Sequence, residues 1–180
     1  PFWVLAAFWI ASLAGTGAYY TSDPGMAAAS HAALAGLTGL MLWKWWPGTR
    51  APGLLWVLIL GFAWAPIGFA WIAWSGLFAP ESARGGIHLL TIGFAGSLVI
   101  AMVTRVSQGH SGRPLTMPAL AWIAFALVQV ATVLRLAAAL SSEALPLLIL
   151  SAFCLAAGLL PWAVRAMAIY VQPRVDGKAG

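Results

Sequence analysis

Charge is what this sequence has least of. Nine Lys and Arg and four Asp and Glu make up 7% of its 180 residues, where a soluble domain spends roughly a quarter of its residues on charge. That scarcity excludes an ordinary water-soluble globule. The carboxylates are Asp23, Glu81, Glu143 and Asp176, so acid–base chemistry by paired carboxylates within a membrane has no carrier. Neither a Ser-His-Asp set nor a Gly-rich phosphate loop is present. Cysteine is nearly absent too. Cys154 stands alone, which excludes an intrachain disulfide and a Cys-rich metal centre, and it reads as a thiol buried within an apolar helix.

What the sequence has in abundance is hydrocarbon: 62% of residues are hydrophobic and the mean hydropathy is +0.92. Charges bound six uncharged runs, at residues 1–22, 24–43, 51–80, 85–104, 114–134 and 144–164. Each reaches the ~20 residues that a helix needs to cross ~30 Å of hydrocarbon. They are too long and too evenly apolar for the alternating strands of a barrel, the other structure that satisfies its own backbone in lipid. The expected fold is therefore all-α and polytopic. Six transmembrane helices form one domain over residues 1–171, with a polar cytoplasmic tail over 172–180. The first run lacks a basic start and a clear cleavage site, so it reads as helix 1 rather than a secretory signal. Pro66 and Pro161 are expected to kink helices 3 and 6.

A formal net charge of +5 raises the question of a nucleic-acid partner. The bases are not gathered on an aromatic-interleaved soluble surface, so none is expected. They alternate instead with the turns. Lys44 and Arg50 flank the second loop, Arg105 and Arg113 the fourth, and Arg165, Arg174 and Lys178 close the chain; Arg84 sits on the other side with Asp23, Glu81 and Glu143. The positive-inside rule then places both termini in the cytoplasm. Trp43, Trp45, Trp46, Tyr19 and Tyr20 suit the interfacial aromatic belts.

Two of the three histidines stand in matching phrases, "HAALAGLTG" from His31 and "HLLTIGFAG" from His88. Both read His-x4-Gly-x2-Gly. Together with "FWVL" and "LLWVL" at the starts of helices 1 and 3, they raise the prospect of two related hairpins, helices 1–2 and 3–4. Counted from the outer surface at ~1.5 Å per residue, both histidines fall at one depth. Intramembrane polar residues are costly and usually face a bundle interior or cavity, so two at one level mark a site. One imidazole from each of two helices can hold a haem from both faces. The small residues from Ala27 to Gly36 would leave room for the flat ring. Arg84, four residues before His88, shares its helical face, and Arg135 on helix 5 reaches a comparable level, so both could pair with haem propionates. Their alternative is interfacial anchoring, and the alternative for the histidines is hydrogen-bonded packing. At the inner face Met41, Met102, Met117, Met167 and His110 would suit Cu(I), although methionine is also a common filler of gaps. The loop from Thr104 to Pro114, with two arginines and two glycines, could bind an anion or anchor to acidic headgroups.

That loop, with what precedes it, carries a family resemblance. The run "HLLTIGFAGSLVIAMVTRVSQGHSGRPL" from His88 to Leu115, the upstream "RAPGLLWVLILGFAWAPIG" from Arg50, and "VLRL" from Val133 resemble the NnrS family, nearly throughout the chain. The resemblance implies a bacterial inner-membrane protein associated with haem and copper and linked to nitric oxide metabolism in denitrification. Members carry a longer helical bundle, and this chain resembles its C-terminal half. A histidine often stands in the family where this sequence has Ile59, which puts one family metal centre in doubt here. His88, His110, Arg105, Arg113 and Arg135 match the pattern; His31 is proposed from depth and spacing.

The expectation is thus a b-type haem, held by His31 and His88 as metal ligands with Arg84 and Arg135 on its propionates, in nitric oxide handling or membrane electron transfer. The alternative is a non-redox accessory subunit of a larger respiratory complex. Partners beyond the lipid bilayer would be another membrane subunit or a second copy of the chain. The orientation is testable in a Cys154→Ser background. A cysteine introduced at Gly109 should react with an impermeant maleimide only in inside-out vesicles, and labelling in intact cells would reverse the topology.

Overall fold

The computed structural model describes residues 2–177. Six helices are long and apolar enough to cross a membrane: α1 Phe2–Thr21, α2 Pro24–Lys44, α3 Gly53–Phe78, α4 Pro80–His110, α5 Ala119–Leu140 and α6 Ala144–Tyr170. There is no strand among the described residues. This is the all-α, six-span architecture that the uncharged runs imply. Pro1, Lys178 and the end of the 172–180 tail lie outside the described residues. The turns at Ser22–Asp23, Pro80–Ser82 and Ser141–Glu143 share one end of the bundle, here called the acidic end. Those around Trp45–Pro52 and Ser111–Pro118 share the other, basic end with the residues that follow α6.

Each helix packs on the next in sequence, and α4 also touches α6. The edge helix α1 rests mainly on α2 and leaves Trp3, Trp9, Ile10 and Leu13 exposed. The tightest core lies among α4, α5 and α6, where Ile100, Ala121, Ala124, Val128 and Trp162 meet, and a second cluster joins Val57, Ala101 and Phe125. Lipid tails are as apolar as these side chains, so burial alone gives helices little reason to associate. Close approach and interhelical hydrogen bonds must supply it. Gly93 on α4 is a point of close approach: a Cβ there would lie 2.7 Å from Trp64 and 2.9 Å from Thr132. The matching glycines of α2 make no such contact. Gly36 has nothing within 4 Å of a Cβ position, and Gly39 only Pro66 at 3.8 Å. The His-x4-Gly-x2-Gly phrases therefore perform different packing tasks.

One polar cluster spans three helices at mid-depth. Trp64 of α3 donates its indole N–H to Gln129 of α5 at 2.5 Å, and Gln129 donates in turn to Ser97 of α4 at 2.8 Å. Nearer the basic end, Trp162 of α6 donates to Thr104 of α4 at 3.0 Å.

Two helices depart from regular geometry. The run of α3 is interrupted at Ala63, between Gly53–Phe62 and Trp64–Phe78. Pro66 explains it, because a proline has no N–H for the carbonyl four residues earlier, that of Phe62. Pro161, by contrast, lies within an α6 that runs continuously from Ala144 to Tyr170. In α4 the eight residues Leu89–Gly96 form a π-helix directly after His88. Nothing in the apolar periodicity announces it.

Replacing Gln129 by Leu removes the shared partner of Trp64 and Ser97. The expected loss is about 1 kcal/mol for the two bonds, at the average of about 0.6 kcal/mol per interhelical hydrogen bond in membranes. Reversible unfolding in mixed detergent micelles would measure it, and a neutral Gln129→Leu variant would show that the cluster contributes nothing.

Candidate functional site: a histidine and two arginines at the acidic end

Arg84 and His88 are four residues apart on α4 and face the same way. The turn before them is fixed by Trp71, whose indole N–H donates to the Ser82 carbonyl at 3.0 Å. Gly85 is fully enclosed between that indole and α5: a Cβ there would stand 2.9 Å from Trp71 Nε1 and 3.0 Å from Leu136. This contact draws the top of α4 against α5 and brings His88 to the level of Arg135. Arg84, His88 and Arg135 line one cavity of about 430 Å³, with Glu81 at its rim and Ala138 and Leu148 in its wall.

Arg135 is held from behind. Its Nε donates to Ser151 Oγ of α6 at 3.1 Å, and Ser151 donates to the Ala131 carbonyl at 3.0 Å. Ser151 is fully buried. A hydrogen bond to a charged group contributes about 1.5–3 kcal/mol, so Arg135 is a fixed part of the wall rather than a chain reaching for water. Its two terminal nitrogens remain for whatever enters. His88 makes no hydrogen bond among the described residues, which leaves both ring nitrogens without a protein partner. Two guanidinium groups and one carboxylate give the cavity a net positive balance.

His31 lies elsewhere. It lines a different cavity of about 410 Å³ among α1, α2 and α3, with Thr16, Tyr19, Tyr20, Ser30 and Phe69. No residue lines both cavities. The two histidines therefore do not line one common space. The His31 ring stands 6.4 Å from that of Phe69. Its Nδ1 is 2.7 Å from the Ala27 carbonyl. A carbonyl only accepts, so Nδ1 is the donor in this bond. The small residues around His31 do not make room for a ring either. Ala29, Ala32, Ala33 and Gly36 are exposed, and Ala28 and Ser30 are packed.

The inner-face methionines are dispersed. Met117 packs against the buried clusters, Met41 lines an apolar groove with Phe8, Phe62 and Phe94, and Met102 and Met167 are exposed, as is His110. Among the described residues no three His, Cys, Asp or Glu side chains gather as a metal-binding group. Ile59, where family members often have histidine, is a buried core residue. Cys154 is half-buried in α6.

Two features of the site escape a sequence reading. Ser151 leaves a signal, a lone hydroxyl within an otherwise apolar helix. Glu81 leaves none beyond its position in a turn.

The model of the family described as NnrS protein matches residues 1–174 of this chain. No curated protein and no solved structure matches it.

The tautomer of His31 is open to direct measurement. In ¹⁵N spectra of labelled protein, His31 should show a protonated Nδ1. A bare Nδ1 would mean that the bond to Ala27 is not made.

Proposed function

Because the chain belongs to the NnrS family, a family of haem- and nitric-oxide-related membrane proteins, we propose that it holds a b-type haem in the cavity of Arg84, His88 and Arg135 and acts in nitric oxide handling. The observation that carries this reading is the donor set of one cavity: an imidazole without a hydrogen-bond partner among the described residues and two guanidinium groups, one from α4 and one from α5. The imidazole suits iron, and the guanidinium groups suit a pair of propionates by bidentate pairing. The volume lies within the range of small-molecule and cofactor sites, and the wall residues Ala138 and Leu148 are apolar. Glu81 opposes a carboxylate ligand, and two cations outweigh it.

His88 is the one imidazole on this cavity, so the reading assigns a single protein ligand. A haem bound on one face retains a position for a diatomic gas, whereas ligation on both faces favours electron transfer alone. The arrangement therefore favours gas binding of the two roles expected from the sequence. His88 would hold the iron, Arg84 and Arg135 would orient the ring by its acidic edge, and Ser151 would fix Arg135. With the bases at the opposite end in the cytoplasm, the cavity opens on the outer face of a bacterial inner membrane.

An optical spectrum of purified protein tests the proposal. A Soret band at about one haem per chain is expected, lost in His88→Ala, retained in His31→Ala, and weakened in Arg135→Met. Nitric oxide should shift the band of the ferrous protein in the wild type and in His31→Ala alike. Loss of haem in His31→Ala would return the assignment to a histidine pair, and absence of haem from all forms would leave the accessory-subunit reading.

A further inference from the structure

The loop from Thr104 to Pro114 takes no part in the cavity at the acidic end. It borders a second, much smaller space of about 40 Å³ among α4, α5 and α6, lined by Thr104, Ser107, Gln108, Arg113, Trp162 and Arg165, among others. Ser107 Oγ, Gln108 Oε1 and Arg113 Nη1 are buried and have no hydrogen-bond partner. Ser107 is 2% exposed and Gln108 7%. Unpartnered polar atoms in an interior are costly, and three on one space point to an occupant that satisfies them.

We propose that this space binds one small monovalent inorganic anion, held by Ser107, Gln108 and Arg113. Charge and shape argue together. Two arginines line the space and no carboxylate does. Arg113 is pinned on its other side, where Nη2 donates to Gln172 Oε1 at 2.8 Å, and its backbone N–H donates to the Gln108 carbonyl at 3.0 Å. That leaves Nη1 as a fixed, buried donor. The Ser107 hydroxyl rotates freely, and turning the Gln108 amide by half a revolution exchanges its oxygen for its nitrogen without changing its shape. Three donors then converge. Trp162 is held by its bond to Thr104, and Pro118, Ala121, Ala166 and Ile169 complete the wall beside Arg165.

Size sets the class of ligand. The volume is about three times the ~10–15 Å³ that one water requires, enough for a halide or a planar oxyanion such as nitrate. A phosphodiester headgroup carries two ester arms and does not fit. Water would fill the space but would leave the buried guanidinium edge without a counter-charge. A neighbouring cavity adjoins it. A larger cavity of about 320 Å³, lined by His110, Ser111, Gln172 and Arg174, shares Ser107 and Ile169 with the small one and lies at the basic end.

The test uses the purified full chain in nanodiscs of zwitterionic lipid, unfolded thermally in chloride, nitrate or gluconate at one ionic strength. Chloride or nitrate should raise the Tm with a saturable midpoint, and gluconate, too large for the space, should not. Ser107→Ala, which removes one donor and little volume, should shift that midpoint upward by about tenfold. Gln108→Leu should abolish the effect. Bromide soaked into crystals should give an anomalous peak beside Arg113. An identical Tm in all three salts, or an unshifted midpoint in Ser107→Ala, would overturn the proposal and make water the occupant. Haem content is read separately and should not change in Ser107→Ala, because the two cavities share no residue.

Discussion

Gln129 joins α3 and α4 to α5 at mid-depth, through one accepted and one donated hydrogen bond, and the placement of both ends of the bundle depends on it. In water such a bond exchanges with solvent and fixes little. In hydrocarbon no solvent competes, and each of Trp64, Ser97 and Gln129 would otherwise keep an unmatched polar atom. The cluster sets the rotation of α4 about its own axis. That rotation turns Arg84 and His88 toward α5 at one end and Ser107 and Gln108 toward α6 at the other. The apolar contacts around it would tolerate many rotations, since Leu, Ile and Val are interchangeable against lipid; the hydrogen bonds would not.

Much of this architecture is legible in the sequence. Six spans follow from where charges fall, because a charge within the hydrocarbon is expensive enough to set a boundary. Arg84 and His88 share a face because their spacing is that of one helical turn. Arg135 reaches their level because the loop after it fixes its depth. What spacing does not encode is the direction each helix faces around its axis. His31 and His88 carry the same local phrase and read as equally deep, yet the spaces they line share no residue. Depth is a property of one helix; opposition across a gap is a property of three. The alanines of α2 show the same limit. They read as room for a ring, and several of them meet lipid instead, where small residues are tolerated as readily as large ones.

The two ends differ in how their polar groups are treated. At the acidic end, Arg135 is braced from outside the cavity by Ser151 and presents its terminal nitrogens to a roomy space. At the basic end, Arg113 is braced by Gln172 and presents a single nitrogen to a space smaller by an order of magnitude. The brace is the same device in both, a side-chain oxygen that occupies one edge of a guanidinium group and so directs another edge inward. The residues after α6 belong to this device. Arg174 donates to the His110 carbonyl at 3.0 Å, and the Val175 N–H donates to that of Ser111 at 3.0 Å. The segment that reads in the sequence as a polar tail is, over its described part, a strap across the loop that carries Arg113.

The π-helical stretch after His88 gives α4 a built-in phase offset. A π turn bonds each N–H to the carbonyl five residues back rather than four, so the eight residues from Leu89 to Gly96 accommodate a length of chain that an α-helix would wind differently. Removing one residue from this stretch would let it relax to α geometry with Ser97 and the core below undisturbed. The part above would then be indexed by one position, about 100° of rotation. His88 would swing out of its cavity and a neighbour would take its bearing. The helix therefore works as a keyed shaft, in which a single surplus residue decides which side chain the upper half presents to α5.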